Sequence, residues 1–144
     1  MNSQNNRDNG HVQEIRSGAH VLAIIYRSGL PADGVKFLTP PDYPLQVGIL
    51  DHKEGKRVSL HKHQHNVVST DALHEFLYFE KGEADVEVGD DEWNIVQKTT
   101  LRQGDMILFV QGCHRLDIKP GARIVEVKQG PYQGDERAKI IHSP

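Results

Sequence analysis

Short apolar stretches bounded by glycine, proline and aspartate alternate with polar residues along most of this chain. The pattern is typical of short β-strands joined by tight turns, and helical periodicity is nearly absent. The predicted strands cover residues 20–27, 35–38, 45–51, 57–65, 75–80, 84–88, 92–98, 106–110, 114–118 and 123–128. Turns are predicted at 81–82, 89–91, 103–105 and 119–121, and residues 134–141 form one helical turn or a short strand. Many short strands with regular turns predict an all-β sandwich or barrel.

The two ends of the chain differ in composition from the middle. After Met1, the first ten residues contain no apolar side chain, so residues 1–19 are predicted as a flexible tail. Residues 20–144 are predicted as a single domain, because a chain of 144 residues fits one domain. Pro40, Pro41 and Pro44 predict an irregular section that leaves the barrel or lies at an edge. Because edge strands need a cover, we expect a homodimer.

Charge and cysteine content narrow the class of protein. The formal net charge is −3 and no basic stripe exists, so nucleic-acid binding is not expected. No apolar run is long enough to predict a membrane span, and no signal pattern is seen at the N-terminus. With a single cysteine, Cys113, no intrachain disulfide can form, and a cytoplasmic location is predicted. We expect Cys113 to be a structural buried thiol and not a metal ligand.

Histidines are concentrated in the predicted strand 57–65. His61, His63 and His65 share one parity, so on a regular strand their side chains point to the same side. Inward imidazoles cost free energy unless they have partners, and a divalent cation is one such partner. The alternative is a surface strand whose histidines bind metal only fortuitously.

Two further residues, Glu75 and His114, lie at strand positions whose side chains are predicted to point inward. Glu75 shares a face with Leu77 and Phe79, and an inward carboxylate also needs a partner. His114 shares a face with Leu116, which predicts that it points inward too. Imidazole and carboxylate are usual ligands of borderline divalent ions, so these groups together predict a metal site.

The spacing of these residues resembles the first motif of the cupin superfamily. That motif runs G-x5-H-x-H, a short spacer, and E-x6-G. The matching residues are Gly55, His61, His63, Glu75 and Gly82. The spacer differs from the family pattern, because eleven residues separate His63 from Glu75.

A second cupin motif is matched in part by Gly104, Gly112 and His114, with Val110 in the position of a proline. The motif's terminal Asn is missing, and one residue rather than two separates Gly112 from His114. The resemblance covers residues 48–127 and implies a double-stranded β-helix, a jelly-roll barrel with an irregular N-terminal extension. It also implies that His61, His63, Glu75 and His114 are the metal ligands. His65 is an alternative ligand or a substrate contact.

Catalytic candidates follow from the last predicted strand, where Glu126 and Lys128 alternate with Val125 and Val127. If the valines pack outward, the two charges point into the barrel. If the valines fill the core, the charges face solvent. Tyr78 and Tyr132 are candidate hydrogen-bond donors at the mouth or buried structural residues.

The expected function is metal binding, with iron, manganese, nickel, zinc or copper all possible. One hypothesis is an enzyme acting on a small polar substrate such as a sugar or a keto acid, by isomerase, epimerase or dioxygenase chemistry. The alternative is a non-catalytic module that binds or senses a small ligand or a metal. A titratable group beside the ligands distinguishes the enzyme from the binding module.

Overall fold

The computed structural model describes residues 10–143, and nearly all of its regular structure is antiparallel β-strand. One short helix, α1 (Asp135–Ala138), lies near the C-terminus, and none of the described helices has the length and hydrophobicity to cross a bilayer. The strands are β1 (Val12–Ser17), β2 (His20–Tyr26), β3 (Gly34–Phe37), β4 (Gly48–Asp51), β5 (Glu75–Lys81), β6 (Glu83–Gly89), β7 (Ile95–Arg102), β8 (Met106–Phe109), β9 (Cys113–Ile118) and β10 (Arg123–Lys128).

Two compact units make up the chain. Among the described residues, one unit comprises residues 10–30 and 72–143, and the other comprises Pro31–Asp71. The first contains a five-stranded sheet of order β1-β2-β8-β5-β10 and a three-stranded sheet of order β7-β6-β9. The second contains the β3–β4 hairpin, together with the prolines that the sequence predicts to leave the barrel.

The hydrophobic core of the first unit lies between its two sheets, because strand alternation directs one face of each sheet inward. Ala84, Val86 and Val88 of β6 are buried, whereas Asp85 and Glu87 between them lie on the outer face. The other residues of the cluster are Leu101 of β7 and, in the five-stranded sheet, Ile15, Leu22, Ala23, Ile25, Leu77, Phe79, Ile107 and Phe109. These apolar side chains form one continuous hydrophobic core between the two sheets.

A partly buried ion pair, Arg27–Asp105, connects the β7–β8 turn to the end of β2. The Asp105 carboxylate accepts hydrogen bonds from Arg27 at 2.9 Å, from the Ser28 amide at 2.9 Å and from the Arg102 amide at 3.0 Å. Its side chain is only 8% exposed. A buried carboxylate is tolerated here because each of these donors compensates for lost hydration.

Close backbone approach explains the glycine of the β5–β6 turn. Gly82 has a φ of 75°, and a Cβ at this position would lie 2.7 Å from the Ala122 Cα. A side chain would therefore meet both left-handed backbone strain and a steric clash.

The predicted strand 57–65 is wrong, because the residues from 52 to 74 contain no strand. Val58 and Leu60 are 61% and 104% exposed. A strand forms only when a neighbour accepts its backbone hydrogen bonds, and a segment without a buried face has weakly specified pairing. Because this segment is not a strand, alternation does not place the side chains of His61, His63 and His65 on one side.

Other boundaries also differ from the sequence prediction, most of them by one residue, but β4 begins at Gly48 and not at residue 45, and β7 ends at Arg102 and not at residue 98. Strand β1 lies within the predicted tail 1–19, because Ile15 packs into the core and β1 pairs with β2. Residues 1–9 of that tail lie outside the described residues. Strand β7 begins at Ile95 and not at residue 92, because the Asp90 carboxylate accepts the amides of Glu92 and Asn94 and so extends the turn.

Candidate functional site

Glu75 and His114 meet across the two sheets at one end of the core. Glu75 begins β5 on the same face as buried Leu77 and Phe79. His114 lies on β9 opposite Val88, which is fully buried. The distance from Glu75 Oε1 to His114 Nε2 is 3.7 Å. The inward orientation predicted for both residues is therefore observed.

Packing restricts the orientation of the His114 ring. It stacks on Phe109 with a centroid separation of 3.8 Å and an interplanar angle of 12°. Phe109 is itself opposite Glu75 in the β5–β8 ladder. The Glu75 and His114 side chains are 17% and 29% exposed, so the pair is partly open to solvent. A small molecule or ion can therefore reach the Glu75 carboxylate and the His114 imidazole at the end of the core.

Neighbouring charges determine the protonation of Glu75. The interaction with His114 is the largest cause that lowers the pKa of the Glu75 carboxyl, and burial opposes this effect. At 3.7 Å the contact is longer than a hydrogen bond, so we interpret it as electrostatic. Lys128 and Lys139 also lower the pKa of Glu75. An ionised carboxylate at neutral pH is the form that binds a cation.

The orientation of β10 places its charged residues on the inner side of the sheet. Lys128 pairs with Glu75 and Glu126 pairs with Leu77 in the β5–β10 ladder. Val125 and Val127 are 43% and 46% exposed on the opposite face. Of the two alternatives left open by the sequence, the outward-valine arrangement is observed.

Lys128 is held by neighbouring side chains. Its ammonium forms an ion pair with Glu126, which is the main cause that raises the pKa of Lys128. It also lies 5.8 Å from the centre of the Tyr132 ring. Tyr78, in contrast, pairs with Val125 on the outer face, away from Glu75. Lys128 is thus a titratable group beside the Glu75–His114 pair, whereas Tyr78 is not.

The histidines of the first motif lie in the second unit on an irregular, exposed segment. The His61 and His63 rings approach to 5.2 Å between centroids. His61 Nδ1 lies 2.8 Å from the Ser59 carbonyl oxygen, which leaves Nε2 available to a ligand. His65 is exposed. Among residues 10–143, no three His, Cys, Asp or Glu side chains come together as a metal-binding group.

Sequence reasoning missed several neighbours of the pair. His74 is 2% exposed, its amide donates to Gln129 Oε1 at 2.9 Å, and burial lowers the pKa of its imidazole.

Asp135 and Lys139 form an ion pair of 3.1 Å on the residues after β10. Their i,i+4 spacing was the available signal for a helical turn. Nothing local in the sequence indicates that this turn lies near Glu75.

The surroundings of Cys113 disfavour a reactive thiol. It is half-buried, and burial is the main cause that raises the pKa of its thiol, followed by the charge of Asp90. A raised pKa disfavours the thiolate, which is the nucleophilic and metal-binding form.

A carboxylate, an imidazole and an ammonium therefore converge at one end of the core. The first two can bind a cation, and the third, whose pKa is raised by Glu126, stays protonated and can donate a hydrogen bond to an anionic group. Comparison with known proteins adds no relative: the chain matches no protein-family model, no curated protein and no solved structure.

Proposed function

We propose that the protein binds a divalent transition metal and a small polar molecule where Glu75 and His114 meet. The 3.7 Å separation of their facing donor atoms is the observation that carries this proposal. Two donors that share an ion at about 2.1 Å can be no more than about 4.2 Å apart, so this pair fits. The resemblance to the cupin motif, and no longer strand alternation, is the reason to propose His61 and His63 as further ligands. Iron, manganese, nickel, zinc and copper are all compatible with such donors.

The pairing of strands supports a double-stranded β-helix as the fold. β5 pairs with β10, β6 pairs with β9, and β7 is joined to β8 by the turn at 103–105. This nested order of antiparallel pairs is what a folded-over hairpin produces in a jelly roll. We therefore propose the fold that the cupin-like motifs imply.

Lys128 favours a catalytic function over simple binding. When bound, the metal would polarise an oxygen of the substrate. Lys128, opposite Glu75, keeps its proton because the ion pair with Glu126 raises its pKa, so its ammonium can stabilise negative charge that develops on that oxygen. A stabilised negative oxygen is what isomerases and epimerases of sugars and keto acids need when a proton leaves the neighbouring carbon. We therefore propose this class ahead of dioxygenase chemistry.

A non-catalytic module for a small ligand or a metal is the second candidate. The partial exposure of Glu75 and His114 favours it, because an open pair can bind a ligand without a closed reaction site. In this case Lys128 serves only to neutralise Glu75.

We also propose a cytoplasmic homodimer. β1 and β10 are the outer strands of the five-stranded sheet, and β10 presents two half-exposed valines beside this edge. A second copy would cover these groups.

Elemental analysis of untagged protein, purified without chelators or added metal, tests the metal proposal. We expect about one transition-metal ion per chain, and Glu75→Gln and His114→Ala should lower the metal content together. Glu80→Gln is the matched control, because Glu80 lies on the same strand but is exposed. Less than about a tenth of an equivalent, with no uptake on adding metal, would refute the proposal.

A further inference from the structure

Residues 131–143, the C-terminal segment, form one wall of an open depression beside β10. The depression has a volume of about 580 Å³. Its lining residues are Glu126, Val127, Lys128, Tyr132, Asp135 and Lys139. This volume falls within the range of about 300–1,000 Å³ that small-molecule sites occupy.

The depression is adjacent to the Glu75–His114 pair, because Lys128 is opposite Glu75 in the β5–β10 ladder. Lys128 also contributes to the depression wall. A ligand in the depression can therefore extend from the C-terminal segment towards Glu75.

Two ammonium groups supply donors to this space. Lys128 is paired with Glu126, and Lys139 Nζ lies 3.1 Å from Asp135 Oδ1. An ammonium has three N–H donors, so each lysine can bind a second acceptor without losing its present partner. One carboxylate that accepts from both lysines would bridge the two walls.

The carboxylates of Glu126 and Asp135 supply hydrogen-bond acceptors to the same space. Asp135 Oδ1 accepts the Tyr132 hydroxyl at 3.0 Å, and each carboxylate retains further lone pairs. Ligand hydroxyl groups can donate to Glu126 and Asp135, whereas a purely aliphatic ligand would desolvate them without compensation. The Tyr132 ring offers an apolar face between these polar groups.

We propose that the depression binds a small hydroxylated carboxylate, such as a hydroxy acid or a sugar acid. Its carboxylate accepts from Lys128 and Lys139, and its hydroxyl groups donate to Glu126 and Asp135. This inference rests on the proposed function, because it names the substrate class of the same site.

Calorimetric titration with glycerate, glycerol and propionate tests this assignment. Glycerate has both the carboxylate and the hydroxyl groups, whereas each of the other probes lacks one of them. We expect glycerate to bind at least about tenfold more tightly than either, since two lost hydrogen bonds are worth about that factor. Equal affinity of glycerol or propionate would overturn the proposal.

Variants establish where the probe binds. Lys128→Met and Lys139→Met keep side-chain length but remove the charge, and each should weaken glycerate binding about tenfold. Lys98→Met is the matched control, because Lys98 forms a comparable ion pair with Glu87 at 2.7 Å on the outer face of the other sheet. Unchanged affinity in both depression variants would locate the probe elsewhere and overturn the assignment.

Titration with and without added Mn²⁺ separates this proposal from the metal proposal. Lysine-dependent glycerate binding by a protein that takes up no metal would support the depression and refute only the metal site. Metal uptake with glycerate binding that ignores both lysines would support only the metal site.

Discussion

Lys128 stands directly opposite Glu75 in the β5–β10 ladder, on the face that looks towards the core. A cation and an anion at facing positions of two strands stabilise each other, and Lys128 adds to the lowering of the pKa of Glu75 that His114 mainly causes. The pair places a charged group of each sign beside His114. The proposed metal site, the stabilisation of a negative substrate oxygen and the ligand depression all depend on this relationship.

The metal proposal predicts different effects for the histidines of the exposed segment. His61→Ala combined with His114→Ala should abolish stoichiometric metal binding, because each motif then loses one predicted ligand. His65→Ala alone should retain the metal. Titration with Zn²⁺ or Mn²⁺ measures both, and stoichiometric metal in the double variant would remove these residues from the ligand set.

The buried carboxylate of Asp105 should be important for stability. Asp105→Ala removes the acceptor of two backbone amides and the charge partner of Arg27, which keeps its bonds to Thr99 and Thr100, and we expect a loss of about 3 kcal/mol in the free energy of unfolding. Urea denaturation measures this loss. Asp117→Ala is the control, because Asp117 pairs with Lys119 at the surface and should have little effect. Similar losses in both variants would contradict the importance of burial.

The C-terminal segment should be detectable through Trp93, the single tryptophan of the chain. The His142 ring lies 4.9 Å from the Trp93 ring. His142→Ala should increase quenching of Trp93 fluorescence by acrylamide, because the ring loses its cover. The exposed His20 provides the control substitution His20→Ala. Unchanged quenching in His142→Ala would mean that the segment leaves Trp93 uncovered in solution.

The turn that contains Trp93 should weaken in acid. The amide of Asn94 is the main cause that lowers the pKa of Asp90, so the folded turn favours the ionised carboxyl. The resulting stability is present above the pKa of about 3.9 for unfolded aspartate and is lost as pH falls through the lower folded value. Trp93 fluorescence between pH 6 and about pH 2 follows this change.

Asp90→Asn is the test of that assignment. Asparagine keeps an oxygen acceptor but does not titrate, so the acid-dependent change should disappear while the turn remains. The carboxyls of Asp91 and Glu92 stay in place as internal controls. Persistence of the full change in Asp90→Asn would assign it to one of them.

The sequence determined the strands whose alternating residues have a buried side. β10 has the predicted bounds, and β5 places Glu75 with Leu77 and Phe79 as alternation requires. Such strands are encoded locally, because period-two hydrophobicity directs one face to a core wherever that core lies. The same reasoning predicted that Glu75 and His114 point inward.

Only the tertiary structure decided which segments find partners. Residues 57–65 have the residue pattern of a strand but no paired neighbour, whereas Val12–Ser17 forms a strand because β2 offers one. The register of β10 against β5 decided whether its valines or its charges face inward. Pairing, register and the course of residues 131–143 depend on contacts between residues far apart in sequence, which local pattern does not encode.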